Sequence, residues 1–341
     1  MRILIRLDGN KKIGFGHISR IRNLTEVMKR HEIQILLGGD YAKTSPLFEK
    51  AGVKCHPVNS LNEKKEIEII HKYIANTKAD IIIVDRINSS YSDSYFDSLK
   101  NFGIPVVALD DCGNKKINAD IVINGTVVRE WRKYPKTNTR FFLGPEFMVL
   151  NKNIIKYNQM KKSISDTVET VTITTGGSDL KSIAPTITRT LLKFDGIKRI
   201  NVIEGPYFSY KTKAILKKFE KDGRVKIFRN LKNIHDIIYN SDFVFLTAGL
   251  TAYECACIGT PFAAVNQVEH QNHTSEAFEK LGVCVNIGLY NKKTANRIMG
   301  IINDIFPNKS LREKMSKTSK KIVDGKGSIR VAKIIETLIK T

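Results

Sequence analysis

The sequence predicts an α/β protein built from two Rossmann-like, doubly wound domains in tandem, with a ligand cleft between them. Three observations lead there. Short apolar runs alternate with longer amphipathic stretches, the pattern of parallel strands covered on both faces by crossover helices. The scheme occurs twice, on either side of a polar, Lys/Ser-rich segment at 151–166 (NKNIIKYNQMKKSISD). The length of 341 residues suits two domains rather than one. The chain is 42% hydrophobic and 26% charged, which excludes a disordered polymer, and no short repeat points to a solenoid or propeller.

In the first half, strands are expected at 3–7, 33–37, 81–85, 106–110 and 121–124, each a Val/Ile/Leu-rich run. Between the first two, Ile18, Ile21, Leu24 and Met28 recur at helical spacing. The second half offers strands at 171–174, 200–203, 225–228, 243–246 and 262–265. These limits place one domain at 1–155, a linker at 156–168 and a second domain at 169–341, whose last helix can pack back on the first.

Lys plus Arg number 56 against 34 Asp plus Glu, a net charge of +22. That balance favours an anionic partner without choosing one. Of the pairing of basic residues with stacking aromatics that nucleic acid needs, only Lys133-Tyr134 and Tyr210-Lys211 give a hint, so no nucleic acid is expected. No apolar run nears the length of a membrane span, and no integral membrane association is expected. Five cysteines at irregular spacing fit a reducing cytoplasm better than a disulfide framework. A monomer is expected.

Doubly wound domains bind ligands at the carboxyl ends of their strands, and three loops stand out there. The first runs from Asp8 through Gly14, Gly16 and His17 to Arg20. Its GxGxxS spacing only half matches a dinucleotide fingerprint. An imidazole in the first turn of a helix feels the positive end of the dipole, which favours the neutral form that a general base needs. His17 is therefore a candidate base or a simple cap. Asp8 is expected either to orient the imidazole or to hold a substrate hydroxyl, and Arg20, one turn on, to reach an anionic ligand.

The second loop, Thr175-Gly176-Gly177-Ser178-Asp179, reads as a cradle of backbone amides for a phosphate, or as a helix cap. It lacks the lysine of a Walker A loop. In the third, Ala248-Gly249-Leu250-Thr251 opens a helix that carries Glu254 among small apolar residues. A carboxylate there needs a partner, and the vicinal hydroxyls of a ribose would serve. The polar cluster 266–273 follows, containing Gln271 and Asn272. Its His270 and His273 alone make a poor metal site, so no metal and no cofactor are expected.

Arg6-x-Asp8, Ile13-Gly14-Phe15-Gly16-His17-x-x-Arg20, Val84-Asp85 and Leu109-Asp110-Asp111 resemble the nucleotide-sugar hydrolases of pseudaminic acid synthesis and their spore-coat-polysaccharide relatives (PseG/SpsG-like). Gly176-Gly177-Ser178-Asp179 and Ala248-Gly249-Leu250-Thr251-x-x-Glu254, with Gly259, Pro261 and Gln271, resemble that family and also the glycosyltransferase MurG. The resemblance implies the GT-B fold and hydrolysis of UDP-2,4-diacetamido-2,4,6-trideoxy-β-L-altrose to UDP and free sugar, with inversion. It implies that His17 activates water and that Gly176, Gly177 and Ser178 hold the pyrophosphate. Glu254 would bind the ribose, Gln271 and Asn272 the phosphate or sugar, and Asp8 and Arg20 the sugar or leaving phosphate. Gly249-Leu250-Thr251 looks closer to the transferase version, which keeps a MurG-like transferase open, as is the hydrolysing 2-epimerase of legionaminic acid synthesis. The basic aromatic segment around Trp131 has no counterpart in the family.

Overall fold

The computed structural model describes residues 1–9, 16–58, 62–86, 91–113, 115–231 and 233–338. The chain divides into two compact units, Met1–Lys152 with Lys326–Thr341, and Asn153–Gly325.

Among the described residues, unit 1 holds a seven-stranded parallel sheet: β1 (Arg2–Gly9), β2 (Glu32–Gly39), β3 (Lys54–Pro57), β4 (Ile81–Asp85), β5 (Val106–Leu109), β6 (Ile121–Asn124) and β7 (Arg140–Leu143). Their order is β3-β2-β1-β4-β5-β6-β7, so the winding reverses between β1 and β4. Unit 2 holds β8 (Thr170–Thr174), β9 (Arg199–Ile203), β10 (Val225–Phe228), β11 (Phe243–Leu246), β12 (Phe262–Asn266) and β13 (Cys284–Leu289). These six run in the order β10-β9-β8-β11-β12-β13, with the reversal between β8 and β11. Each reversal opens a crevice at the carboxyl ends of its two central strands.

Alternation along β1 sends Ile3, Ile5 and Leu7 to one face, against α1 (Gly16–Val27), and Leu4 to the other. Ile18, Ile21, Leu24 and Met28 are buried, as their spacing predicts. Three strands escaped the sequence reading: β3, β7 and β13. All are sheet edges and none is buried throughout; β3 and β13 mix polar with apolar residues, and β7 has only Phe141, Phe142 and Leu143 after its arginine.

The polar segment read as a linker differs in part. It carries a short helix, Ile155–Gln159, and buries Ile154 and Tyr157 within unit 2. The helix Gly327–Thr337 belongs to unit 1, where Val331, Ala332 and Ile335 join the core around Ile18, Ile21 and Leu24. Among the described residues no helix is long and apolar enough to cross a membrane.

Candidate active site

In unit 1 the crevice between β1 and β4 is charged. α1 follows β1 and presents His17 in its first turn, and β4 ends on Asp85, which is fully buried. His17 Nδ1 lies 2.6 Å from Asp85 Oδ1. Arg20, one turn further along α1, donates from Nε to Asp85 Oδ2 at 2.9 Å and from Nη2 to Oδ1 at 2.6 Å. Its Nη1 donates to Asp111 Oδ1, just beyond β5. The remaining Asp111 oxygen, Oδ2, stands 4.0 Å from His17 Nε2.

Burial by itself would raise the pKa of Asp85, but the charges and hydrogen bonds of Arg20 and His17 bring it down to about 2. A permanently ionised acceptor at 2.6 Å assigns the proton of the neutral imidazole to Nδ1 and leaves Nε2 bare. For His17, burial lowers the pKa, and the charge and hydrogen bond of Asp85 outweigh it. Arg20 opposes and Asp111 assists, so the net shift is upward from 6.5. This corrects the expectation from the helix dipole alone, because a carboxylate in contact exceeds the partial charge of a helix end.

Asp8 does not meet the imidazole. It belongs to the β1 set that points to the opposite face, where Arg6 Nη1 lies 2.7 Å from its Oδ1 and Arg86 Nε donates to its Oδ2 at 3.1 Å. Both arginines also bind Glu66, itself buried and hydrogen-bonded by the Tyr95 hydroxyl. Arg20 is close to His17, but its guanidinium is engaged by two carboxylates rather than held out for an anion. Gly16 opens α1 and is exposed, and Gly14 lies outside the described residues.

In unit 2, Gly176 turns the chain after β8 with φ of +78°, a conformation that favours glycine. Three of the loop's carbonyls, those of Thr175, Gly177 and Ser178, are hydrogen-bonded. Gln267, after β12, donates from Nε2 to Ser178 O at 2.9 Å and Thr175 O at 3.3 Å, and accepts from Leu180 N at 2.7 Å. Tyr207 N donates to Gly177 O at 2.9 Å. Gly205 presses so close that an added Cβ would lie 2.3 Å from Gly176 O. The amides of Gly176, Gly177 and Ser178 have no hydrogen-bond partner among the described residues.

The helix-cap alternative holds at the end of this loop, before the next helix, Ile183–Leu191. Its opening amides, Ile183 and Ala184, donate to the buried Asp179 carboxylate at 2.7 and 3.0 Å, so an anion from the chain already sits there. The helix Leu250–Ile258 after the neighbouring β11 offers instead the amides of Leu250 and Thr251, free of partners among the described residues. The Ala248 amide is held by Asn266 Oδ1 at 3.1 Å, and Gly249 precedes the helix.

Glu254 Oε1 accepts from His235 Nε2 at 3.2 Å, and no hydrogen bond to its Oε2 occurs among the described residues. The expected ligand roles of Gln271 and Asn272 find no support in their placement. Gln271 Oε1 accepts from Gln267 N at 2.9 Å, and Asn272 Nδ2 donates to Glu276 at 2.7 Å.

No protein-family model matches the chain. It is 24% identical over 343 residues to the Bacillus subtilis spore coat polysaccharide biosynthesis protein SpsG, covering 99% of this chain and 98% of that one. It is 24% identical over 289 residues to the Campylobacter jejuni UDP-2,4-diacetamido-2,4,6-trideoxy-β-L-altropyranose hydrolase, covering 83% and 97%. An uncharacterised Methanocaldococcus jannaschii protein is 26% identical over 82% of this chain, and that match spans 58% of the archaeal protein's length. The Acinetobacter baumannii MurG crystal structure superposes with a TM-score of 0.71 at 12% identity, over 99% of this chain and 100% of that one.

The chain resembles the PseG/SpsG proteins in sequence and has a GT-B fold. In this PseG/SpsG-like chain, reading the loops for chemistry missed Asp85, Asp111, Gln267 and His235 as site residues. Asp85 and Asp111 were visible only as part of the resemblance. The usable signal was position, since each lies at or just beyond the carboxyl end of a central strand. The Trp131 segment also finds a place. Asn124 Nδ2 donates to Trp131 O at 2.7 Å, and the Tyr134 hydroxyl donates to Asp110, so this segment folds over the ends of β5 and β6 beside Asp111.

Proposed function

We propose that the chain is a metal-independent, inverting UDP-sugar hydrolase. It cleaves the anomeric C–O bond of UDP-2,4-diacetamido-2,4,6-trideoxy-β-L-altrose in the formation of pseudaminic acid, working in the cytoplasm. The observation that carries the reading is the His17–Asp85 contact of 2.6 Å, which fixes the tautomer and frees Nε2 to take a proton from water. Likeness to a hydrolase of that name supports the substrate.

The residues divide the work by unit. In unit 1, Asp85 orients the imidazole and stabilises its cation, and Arg20 holds Asp85 ionised. In unit 2, the amides of Gly176, Gly177, Ser178, Leu250 and Thr251 receive the diphosphate and stabilise the charge that grows on it as it leaves. Glu254 offers its second oxygen to a ribose hydroxyl. Direct displacement by one water inverts the anomeric centre.

The test is incubation with this UDP-sugar in water without any acceptor, following UDP and, by NMR, the free sugar. UDP release with inverted sugar is expected, and His17→Ala slows it by about 10²–10⁴-fold while UDP still binds. Turnover that begins only when a sugar or lipid acceptor is added would establish a MurG-like transferase instead. Solvent deuterium appearing at C2 would establish the hydrolysing epimerase.

A further inference from the structure

We propose that Asp111 is a second catalytic residue, which together with His17 holds the attacking water by both of its hydrogens. This rests on the hydrolase reading and adds to it the placement of the nucleophile. Asp111 Oδ2 and His17 Nε2 are 4.0 Å apart, too far for a direct hydrogen bond. A water oxygen at about 2.8 Å from each acceptor subtends about 90° between them, close to the angle between its own two O–H bonds. The pair therefore fits one water as a double donor, with both lone pairs left for attack.

The surroundings treat the two carboxylates of this cluster differently. Asp85 is fully buried and both its oxygens are bonded by Arg20, so it cannot meet water. The side chain of Asp111 is 38% exposed, and Arg20 holds only its Oδ1. That single contact aims Oδ2 towards the imidazole. In the reaction one water proton passes to Nε2, and the water oxygen forms the new bond to the anomeric carbon. The bond to the β-phosphate oxygen breaks with its electron pair remaining on UDP. The second hydrogen stays on that oxygen as the hydroxyl of the product, hydrogen-bonded to Asp111, and the imidazolium returns its proton to solvent.

The test uses a nucleophile with one hydrogen. Methanol can satisfy Nε2 but not Asp111 as well, so the wild-type protein in a water–methanol mixture should strongly favour free sugar over methyl glycoside. Asp111→Ala is expected to cut hydrolysis by about 10²-fold and to raise the methyl glycoside fraction about tenfold, with UDP affinity unchanged. Asp111→Asn keeps the volume and one acceptor oxygen, and should change rate and product ratio in the same direction by less. It also carries the test if the alanine variant does not fold. A wild-type product ratio in the folded variants overturns the role, even where the rate has fallen, because a merely structural loss would slow both nucleophiles alike. No UDP release by the wild-type protein would instead overturn the hydrolase reading, and this role with it.

Discussion

The imidazole of His17 is subject to opposed influences, and their balance predicts a pH profile. Burial disfavours its charge, while Asp85 in contact favours it and wins, so the pKa lies above 6.5. A general base works only when neutral, so activity should fall as pH drops through that raised pKa, placing the acid limb above pH 6.5. Asp85→Asn removes the dominant raising influence and leaves burial and the Arg20 cation. The acid limb should then move to lower pH, while the plateau drops by about 10²–10⁴-fold because the tautomer is no longer fixed. A plateau within a factor of two of the wild type would remove Asp85 from the mechanism. His17 and Arg20 were legible in the sequence as candidates because helical spacing puts them on one face. Their true partner was not, because Asp8 and Asp85 both end strands and only the alternation of the sheet decides which faces α1.

At the scale of elements, the amide cradle in unit 2 is made by what binds its carbonyls. Gln267, Tyr207 and the close approach of Gly205 hold the carbonyl side of 175–178, so the amides turn the other way. Gln267→Ala would strip three backbone groups of their partners, and should cost about 1–3 kcal/mol of stability. UDP affinity should weaken about tenfold, read by titration calorimetry. Gly205→Ala should weaken it too, since the methyl group would meet Gly176 O and Gly177 O. Unchanged affinity in both variants would show that the loop does not receive the diphosphate. The glycines of this loop were visible from sequence, whereas Gln267 was hidden among six other polar residues at 266–273 with nothing to rank it. The same limit applied to strands. Central ones announced themselves as apolar runs, while at the edges β3 and β13 mixed polar with apolar residues and β7 offered only three apolar residues after an arginine.

For the whole molecule, the order of the chain and the order of its cores differ. Unit 1 is closed by residues from both ends of the sequence, since the helix Gly327–Thr337 lays Val331, Ala332 and Ile335 into the core that α1 begins. The sequence reading assigns 169–341 to the second domain with its last helix able to pack back on the first, and that helix belongs to unit 1. The consequence is measurable. Ile335 is fully buried, so Ile335→Ala leaves a cavity as well as losing apolar contact, a cost of about 2–5 kcal/mol. The loss belongs to unit 1, although the substitution lies beyond the last strand of unit 2. Native-state hydrogen exchange should therefore quicken at β1 and α1, with little change at β8 and β11. Faster exchange confined to unit 2 would mean that the terminal helix stabilises the other core, contrary to the packing of Val331 and Ile335 against Ile18 and Ile21.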